Sequence, residues 1–130
     1  MRHEPIIPES MGQIALPYSP GVRAGRVVAV SGMVGKETDG AARTLTGVDV
    51  ATQTRQAIEN LKAVLGAASL DLDDVFKVTV FLSNAADFKE MNSVYVEAFS
   101  EPYPARSTVI VGLVNPDFLV EIEALALDRL

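Results

Sequence analysis

Hydrophobic and polar positions fall into blocks along the chain, and the first blocks predict a strand followed by a long helix. Residues 27–30 form a short apolar run that stops at Ser31-Gly32, as expected of a buried strand, and the polar residues 35–40 predict a loop. Apolar residues then recur three and four positions apart, at Ala57, Ile58, Leu61, Val64, Leu65 and Ala68. This spacing predicts a helix over about residues 50–68, with Asp49 as its N-cap.

A second helix and three more strands follow. Residues 76–82 are rich in β-branched and aromatic side chains and predict a strand. Asp87 and Glu90 have the spacing of a capping box, and a helical stripe follows at Phe88, Met91, Val94, Tyr95, Ala98 and Phe99. Residues 107–114 and 119–127 predict two strands, and the turn-forming residues 115–117 between them favour a hairpin.

The order of these elements predicts the fold class. Strand, helix, strand, helix, strand, strand is typical of an α+β fold, here a two-layer sandwich with both helices on one face of the sheet. Residues 107–114 and 119–127 are apolar at both alternating sets of positions, so the other face of the sheet also needs cover. The pattern therefore predicts that this face packs against another copy of the chain.

Composition limits the domain count and the classes of partner. With 130 residues, 48% of them hydrophobic, the chain fits a single domain over residues 1–130. The formal net charge is −6 and the basic residues are dispersed, which opposes nucleic acid as a partner. The sequence has no cysteine, and its single histidine is His3, so it offers no thiol nucleophile and no His-rich metal site.

The N-terminal residues and the lengths of the apolar runs bear on location. Glu4, Pro5 and Pro8 interrupt the apolar core that a secretory signal would need. No apolar run approaches the roughly 20 residues of a membrane span. The sequence therefore predicts a soluble, cytoplasmic protein with no membrane partner.

One cation in the last third of the chain is a candidate for ligand binding. Arg106 is the only Lys or Arg between Glu90 and Asp128, and it stands at the start of the most apolar strand. A planar guanidinium matches a carboxylate through two parallel hydrogen bonds, so a buried Arg106 would suit a small anionic ligand. The alternative is an ordinary strand-end charge that reaches water.

Two glutamates on the last predicted strand are candidates for acid–base chemistry. Glu121 and Glu123 project from one face of that strand, which also carries Leu119 and Leu125. A carboxylate between leucines needs a partner or has a raised pKa, whereas two glutamates on a water-facing strand are the commoner arrangement. Whether Glu121 faces Arg106 depends on the register of the predicted hairpin, which the sequence leaves open.

Tyr18 and the glycines after the first strand are weaker candidates. Tyr18 lies between Pro17 and Pro20 and either presents its phenol to a cleft or anchors the loop on the core. Gly32 and Gly35 allow a bend that can expose backbone N–H groups to a ligand. The sequence contains no GxGxxG, P-loop or GxSxG motif, so dinucleotide binding, P-loop phosphate binding and the hydrolase nucleophile elbow have no support.

Segments in order along nearly the whole chain resemble the reactive intermediate deaminases, or Rid proteins. These segments are Pro17-Tyr18-Ser19, Val30-Ser31-Gly32, residues 52–61, residues 78–82, Asp87-Phe88 with Met91-Asn92, residues 104–109 and residues 120–124. The resemblance implies a chorismate-mutase-like α+β fold with a mixed sheet, assembled as a homotrimer with active-site clefts between neighbouring subunits. It also implies hydrolysis of enamines and imines, such as 2-aminoacrylate and 2-iminobutanoate, to 2-keto acids and ammonia, without metal or cofactor.

The resemblance also assigns roles to individual residues. Arg106 would hold the carboxylate of an imino, enamino or keto acid through both guanidinium nitrogens, and Glu121 would orient or activate the attacking water. The residues that would line the cleft and complete its polar contacts are Tyr18, Phe88, Asn92, Ser31, Gly32 and Thr108. The chain departs from the family pattern at Thr108, where some members have cysteine, and at Met33-Val34-Gly35, where many have Gln-Ile-Pro.

Two other functions are compatible with the same residues. The cleft could bind a small carboxylate without turnover, as a sensor or chaperone-like module. Ribonuclease activity and inhibition of translation have been attributed to members of the family. The acidic net charge of this chain opposes both functions here.

Overall fold

The computed structural model describes residues 2–39, 42–45 and 49–129. Its helices are α1 (Val50–Ala67) and α2 (Phe88–Ala98), and its strands are β1 (Glu4–Ile6), β2 (Gly21–Ala24), β3 (Val27–Val34), β4 (Lys36–Asp39), β5 (Ala42–Leu45), β6 (Val75–Leu82), β7 (Ala105–Ile110) and β8 (Val120–Leu127). The main sheet has the order β1-β2-β3-β8-β6-β7, and β4 pairs with β5 separately. In the main sheet only β6 and β7 run parallel, so the sheet is mixed.

Helix α1 begins and packs as the sequence predicts. The side chain of Asp49 accepts a 2.8 Å hydrogen bond from the backbone N–H of Thr52 and a 3.0 Å bond from its hydroxyl, which confirms Asp49 as the N-cap. The apolar stripe faces the sheet, and Leu61, Val64 and Leu65 have no exposed surface. Neither described helix is both long enough and apolar enough to cross a bilayer.

Helix α2 exists as predicted, but the predicted capping box at its start is wrong. Asp87 already has helical backbone angles, and its side chain makes no capping hydrogen bond. Instead, the side chain of Asn84 accepts a 2.9 Å bond from the N–H of Ala86 and starts a short 3-10 turn that leads into the helix. A residue with helical backbone angles is not placed to act as an N-cap, which is why the spacing alone misled.

The strand predicted at residues 27–30 does not stop at Ser31-Gly32. β3 continues to Val34, with an irregular register between Val30 and Met33 where it pairs with β8. An irregularity of this kind bends a strand without ending it. The predicted loop is also wrong where it is described, since β4 begins at Lys36; Gly40 lies outside the described residues.

The predicted hairpin of the last two strands is also wrong. β7 pairs in parallel with β6, and β8 lies between β3 and β6 in antiparallel pairing with both. A strand–helix–strand crossover places β7 beside β6 in parallel, so residues 111–119 must carry the chain past β6 to its other side. The turn-forming residues 115–117 therefore belong to this long connection, and the two strands that it joins, β7 and β8, are not neighbours in the sheet.

The two faces of the sheet differ as the predicted sandwich requires. Facing the helices, Val78, Val80 and Leu82 of β6 and Val120 and Ile122 of β8 have no exposed surface. The opposite face carries the alternate residues of β6 and β8, which are half-buried or exposed. The α+β fold, with two helices on one face of a mixed sheet, is confirmed.

Candidate active site

The side chain of Arg106 lies on the helix face of the sheet, against two rings of α2. Arg106 pairs with Val78, whose side chain is buried in the core, so both side chains point toward the helices. The guanidinium carbon of Arg106 lies 4.7 Å from the centroid of the Tyr95 ring and 5.8 Å from that of the Phe88 ring. Both distances lie within the range of a cation–π interaction, so aromatic faces hold this half-buried charge.

No acidic side chain neutralises this guanidinium among residues 2–36 and 49–129, whose side chains the structure describes. The salt bridges in these ranges join Arg23 to Asp128, Lys62 to Glu59, and Arg129 to Asp71 and Asp74. Arginine offers five N–H donors in a planar fork, and aromatic faces satisfy none of them as hydrogen bonds. This setting fits a site for an anionic ligand better than an ordinary strand-end charge.

A cleft of about 340 Å³ adjoins the guanidinium and is lined by Asn92, Tyr95, Val96, Tyr103, Pro104 and Arg106. Thr108 lies two residues further along β7 and pairs with buried Val80, so it points to the same face as Arg106. The hydroxyls of Thr108 and Tyr95 are buried and have no hydrogen-bond partner among the described residues. Because buried hydroxyls are usually hydrogen-bonded, this region has unused polar capacity.

Glu121 lies on the opposite face of the sheet and packs on Gly32. A Cβ atom at Gly32 would overlap the carboxylate of Glu121, so a larger residue here would force the carboxylate to move. Burial raises the pKa of Glu121, and the nearby charge of Glu123 raises it further. The structure therefore places here a carboxylate that takes up a proton more readily than an ordinary glutamate.

Ser31 ties the segment that carries Tyr18 to β3. The hydroxyl of Ser31 donates a 2.6 Å hydrogen bond to the carbonyl of Ser19, and its backbone N–H donates a 2.8 Å bond to the carbonyl of Pro20. Tyr18 and Gly32 line the same small cavity, and 44% of Tyr18 is exposed. Since Ser31 holds the segment, the phenol of Tyr18 is not required as its anchor, which favours the alternative in which it faces a cleft.

The segment that departs from the family pattern forms a wall of this small cavity. Met33 and Val34 line it together with Asn60 of α1. The side-chain amide of Asn60 donates to the carbonyls of Val34 and Lys36, at 2.9 and 2.7 Å. Helix α1 therefore fixes this wall.

Within one chain the candidate residues form two separate groups. The first, which we call the arginine half-site, consists of Arg106, Phe88, Asn92, Tyr95 and Thr108. The second, the carboxylate half-site, consists of Glu121, Gly32, Ser31 and Tyr18. Strand β6 lies between β7 and β8, and the two key side chains point to opposite faces of the sheet. The question of hairpin register therefore does not arise, and one chain does not bring Arg106 and Glu121 together.

Tyr95 belongs to the apolar stripe that the sequence predicts for α2, and the structure also places it at the candidate site. It is buried, with 4% of its surface exposed, and its ring also contacts the guanidinium of Arg106. Phe88, Asn92 and Tyr95 are spaced four and three residues apart, which puts all three on one side of α2. This spacing was the signal in the sequence that could have identified Tyr95, because Phe88 and Asn92 were already candidate site residues.

The described residues offer no clear metal site. They include no group of three or more His, Asp or Glu side chains that could hold a metal ion. His3, the single histidine of the sequence, is exposed near the N-terminus.

Comparison with known proteins identifies the family. Residues 10–128 match the sequence model of a protein family that is described as endoribonuclease L-PSP. The chain belongs to this family. Relatives of this chain include proteins named 3-aminoacrylate deaminase and 2-iminobutanoate/2-iminopropanoate deaminase, which agrees with the Rid resemblance of the sequence.

Three proteins similar to this chain illustrate the likeness. The 3-aminoacrylate deaminase RutC of Acinetobacter baylyi is 39% identical over 97% of this chain and 98% of its own length. The 2-iminobutanoate/2-iminopropanoate deaminase of Salmonella typhimurium is 39% identical over 87% of this chain and 88% of its own. The crystal structure of RidA from an Antarctic Psychrobacter has a TM-score of 0.85 at 34% identity, over 95% of this chain and 98% of that chain.

Proposed function

We propose that this protein hydrolyses enamine and imine intermediates of the 2-aminoacrylate or 2-iminobutanoate type to 2-keto acids and ammonia. The observation that carries the proposal is a half-buried guanidinium on aromatic faces with no carboxylate partner in the described chain. Two named deaminases that are 39% identical to this chain support the reaction type.

Arg106 binds the carboxylate of the substrate. Its planar fork donates two parallel N–H hydrogen bonds to the two carboxylate oxygens, which fixes the position and the orientation of the acid. The unpartnered hydroxyl of Thr108 and the side chain of Asn92 lie on the same side of the sheet and supply further polar contacts. The ring of Phe88 closes one side of the binding position.

Glu121 positions and activates the water. An ionised carboxylate with a raised pKa is a better base at neutral pH than an ordinary one, and burial raises the pKa of Glu121 in this way. Gly32 gives the carboxylate its position, and Ser31 holds the loop that carries Tyr18 beside it. Tyr18 lines the small cavity that Gly32 also lines.

The reaction then needs only proton transfers that Glu121 can mediate. The protonated carboxyl group of Glu121 first donates its proton to C3 of an enamine, which becomes an iminium and leaves Glu121 ionised; the last step of the reaction restores this proton. The water oxygen bonds to C2 while the C=N π electrons move to nitrogen, and one water proton passes to Glu121. Glu121 returns that proton to nitrogen, the C–N bond breaks to release ammonia, and the hydroxyl proton passes back to Glu121 as the carbonyl forms. Holding acid and water together supplies most of the acceleration.

Both half-sites must meet, and we propose that they meet between neighbouring copies in a homotrimer. The face of the sheet that carries Glu121 has only half-buried and exposed residues at its alternate positions on β6 and β8, and the helices lie on the other face. A closed ring of copies would cover this face and set the arginine half-site of one chain against the carboxylate half-site of the next.

The activity is tested by supplying the purified protein with an amino acid oxidase or dehydratase reaction that generates 2-imino acids. Keto acid release should be faster than without the protein. An unchanged rate of keto acid release, together with saturable binding of 2-oxobutanoate, would contradict the enzymatic function and support a module that binds small carboxylates without turnover. Tight RNA binding that weakens steeply with salt would instead support the ribonuclease.

The shared site is tested by mixing subunits of two inactive variants, Arg106→Ala and Glu121→Gln. In a three-membered ring with sites between chains, random mixing restores about a quarter of the sites, because some sites then take an intact half from each variant. Each variant subjected alone to the same unfolding and refolding is the control. No recovery in mixed trimers would refute a site shared between chains.

A further inference from the structure

The contacts that hold Arg106 are contacts to rings. Among the described residues its guanidinium forms neither a salt bridge nor a side-chain hydrogen bond, while Tyr95 and Phe88 lie at cation–π distances. A long arginine side chain loses much rotamer freedom when it is fixed, and its fork matches a carboxylate in one plane only. The surface that sets the plane of the guanidinium therefore matters for binding.

Tyr95 is the better placed of the two rings. It lies 4.7 Å from the guanidinium carbon, against 5.8 Å for Phe88. Tyr95 is 4% exposed, whereas Phe88 is 44% exposed. The ring of Tyr95 is also stacked on Phe99, with centroids 4.4 Å apart and an interplanar angle of 21°. A buried, stacked ring presents a fixed face, and an exposed ring does not.

We propose that Tyr95 is a positioning residue for the ligand of Arg106. Its ring holds the guanidinium plane in the orientation from which two N–H groups reach a planar carboxylate. The ligand class, a monocarboxylic imino or keto acid, rests on the proposed function. Tyr95 acts through Arg106, so its loss weakens binding of the acid and leaves the proton transfers at Glu121 intact.

Two substitutions of Tyr95 distinguish the effect of its ring from that of its hydroxyl. The hydroxyl is buried without a hydrogen-bond partner in the described part of the chain. Phenylalanine at this position would keep the ring and remove the unpartnered hydroxyl, which is costly to bury. Tyr95→Phe is therefore the conservative variant, and Tyr95→Leu is the variant that removes the ring.

Phe99 supplies a matched control. Phe99 is buried like Tyr95, with 3% of its surface exposed, and belongs to the same stack, but among the described residues the cation–π contacts of Arg106 are with Tyr95 and Phe88. Phe99→Leu therefore loses the same stacking and a similar amount of core packing. It differs from Tyr95→Leu in leaving a ring under the guanidinium.

The experiment measures binding of 2-oxobutanoate by calorimetry, and kcat and KM with an imino acid, for all three variants. Tyr95→Leu should weaken binding and raise KM about tenfold with little change in kcat, as the loss of a cation–π contact predicts. Tyr95→Phe should recover most of the lost affinity, and Phe99→Leu, which keeps a ring under the guanidinium but loses the stack that fixes it, should lose clearly less affinity than Tyr95→Leu. Tyr95→Met, which fills more of the space, replaces Tyr95→Leu if that variant does not fold.

Each other outcome has a definite meaning. Equal losses in Tyr95→Leu and Phe99→Leu would show a packing effect and overturn the inference. So would a Tyr95→Phe variant as weak as Tyr95→Leu, or a wild type that binds no 2-oxobutanoate. A wild-type protein that binds 2-oxobutanoate but does not accelerate keto acid release would contradict the proposed function alone. The affinities of the variants could still be compared with that of the wild type, so the role of Tyr95 would still be tested.

Discussion

The two half-sites control a charged group in opposite ways. In the arginine half-site, the negative faces of the Tyr95 and Phe88 rings attract the guanidinium of Arg106. In the carboxylate half-site, burial and the charge of Glu123 disfavour the charged form of Glu121 and raise its pKa. The first setting attracts a charge, while the second makes a carboxylate more ready to accept a proton.

The positions of the half-sites in the sheet match these roles. Arg106 lies on β7, the edge strand, where a ligand and another chain can both approach. Glu121 lies on β8, a central strand with pairing partners on both sides, which fixes its backbone. The comparison teaches that an edge strand carries the guanidinium, whereas the carboxylate stands on a backbone that is hydrogen-bonded to strands on both sides.

The largest expected effect is on the carboxylate half-site. Glu121→Gln removes the base but keeps the shape, so kcat should fall about a thousandfold while 2-oxobutanoate still binds. Keto acid release and calorimetry measure the two quantities. Glu97→Gln, an exposed change on α2, is the control. A Glu121→Gln enzyme with normal kcat would remove Glu121 from the reaction.

A conservative change in the arginine half-site comes next. Arg106→Lys keeps the charge but loses the planar fork, so affinity for 2-oxobutanoate should fall about a hundredfold. Arg55→Lys on the exposed surface of α1 is the matched control and should bind normally. Full affinity in Arg106→Lys would show that a point charge is sufficient and that the fork plays no part.

A glycine pair tests how Glu121 is placed. Gly32→Ala puts a methyl group where the carboxylate of Glu121 lies, so kcat should fall about tenfold with binding at Arg106 retained. Gly66→Ala in α1 meets no atom within 4 Å and should stabilise the protein by about 1 kcal/mol. Activity assays and thermal unfolding compare the two; an unimpaired Gly32→Ala would show that the carboxylate can move without cost to the reaction.

The smallest expected effect is on stability. The folded pKa of Glu121 is raised, so this group destabilises the fold progressively as pH rises from the ordinary glutamate pKa to the raised one. Glu121→Gln should therefore raise Tm by a few degrees at neutral pH, and this gain should vanish at a pH below the ordinary glutamate pKa. Melting curves across pH measure it. A constant difference at every pH would point to packing instead of ionisation.

Local pattern was a good guide wherever one stretch of chain decides the outcome. The stripe of α1 and its cap at Asp49 depend on residues that are neighbours on one helix, so the sequence predicted both. Arg106 was also identified, because a single cation in an apolar and acidic stretch is visible without a structure. The roles of the site residues remain predictions.

Local pattern failed where the competing partner was distant in sequence. Asn115-Pro116-Asp117 favours a turn, and it does not reveal that β8 pairs with β3 and β6 instead of β7. The contact of Tyr95 with Arg106 likewise depends on how α2 packs on β7. Neither fact is encoded in a window of a few residues.

The sequence by itself determined the two helices, most strand positions, the family resemblance and the charged residues worth testing, because periodicity and residue chemistry are local properties. Only the tertiary structure decided the strand order, the aromatic support under Arg106 and the placing of Arg106 and Glu121 on opposite faces. The reason is physical: strand pairing and side-chain contact are chosen by the burial of the whole core, which no single segment controls.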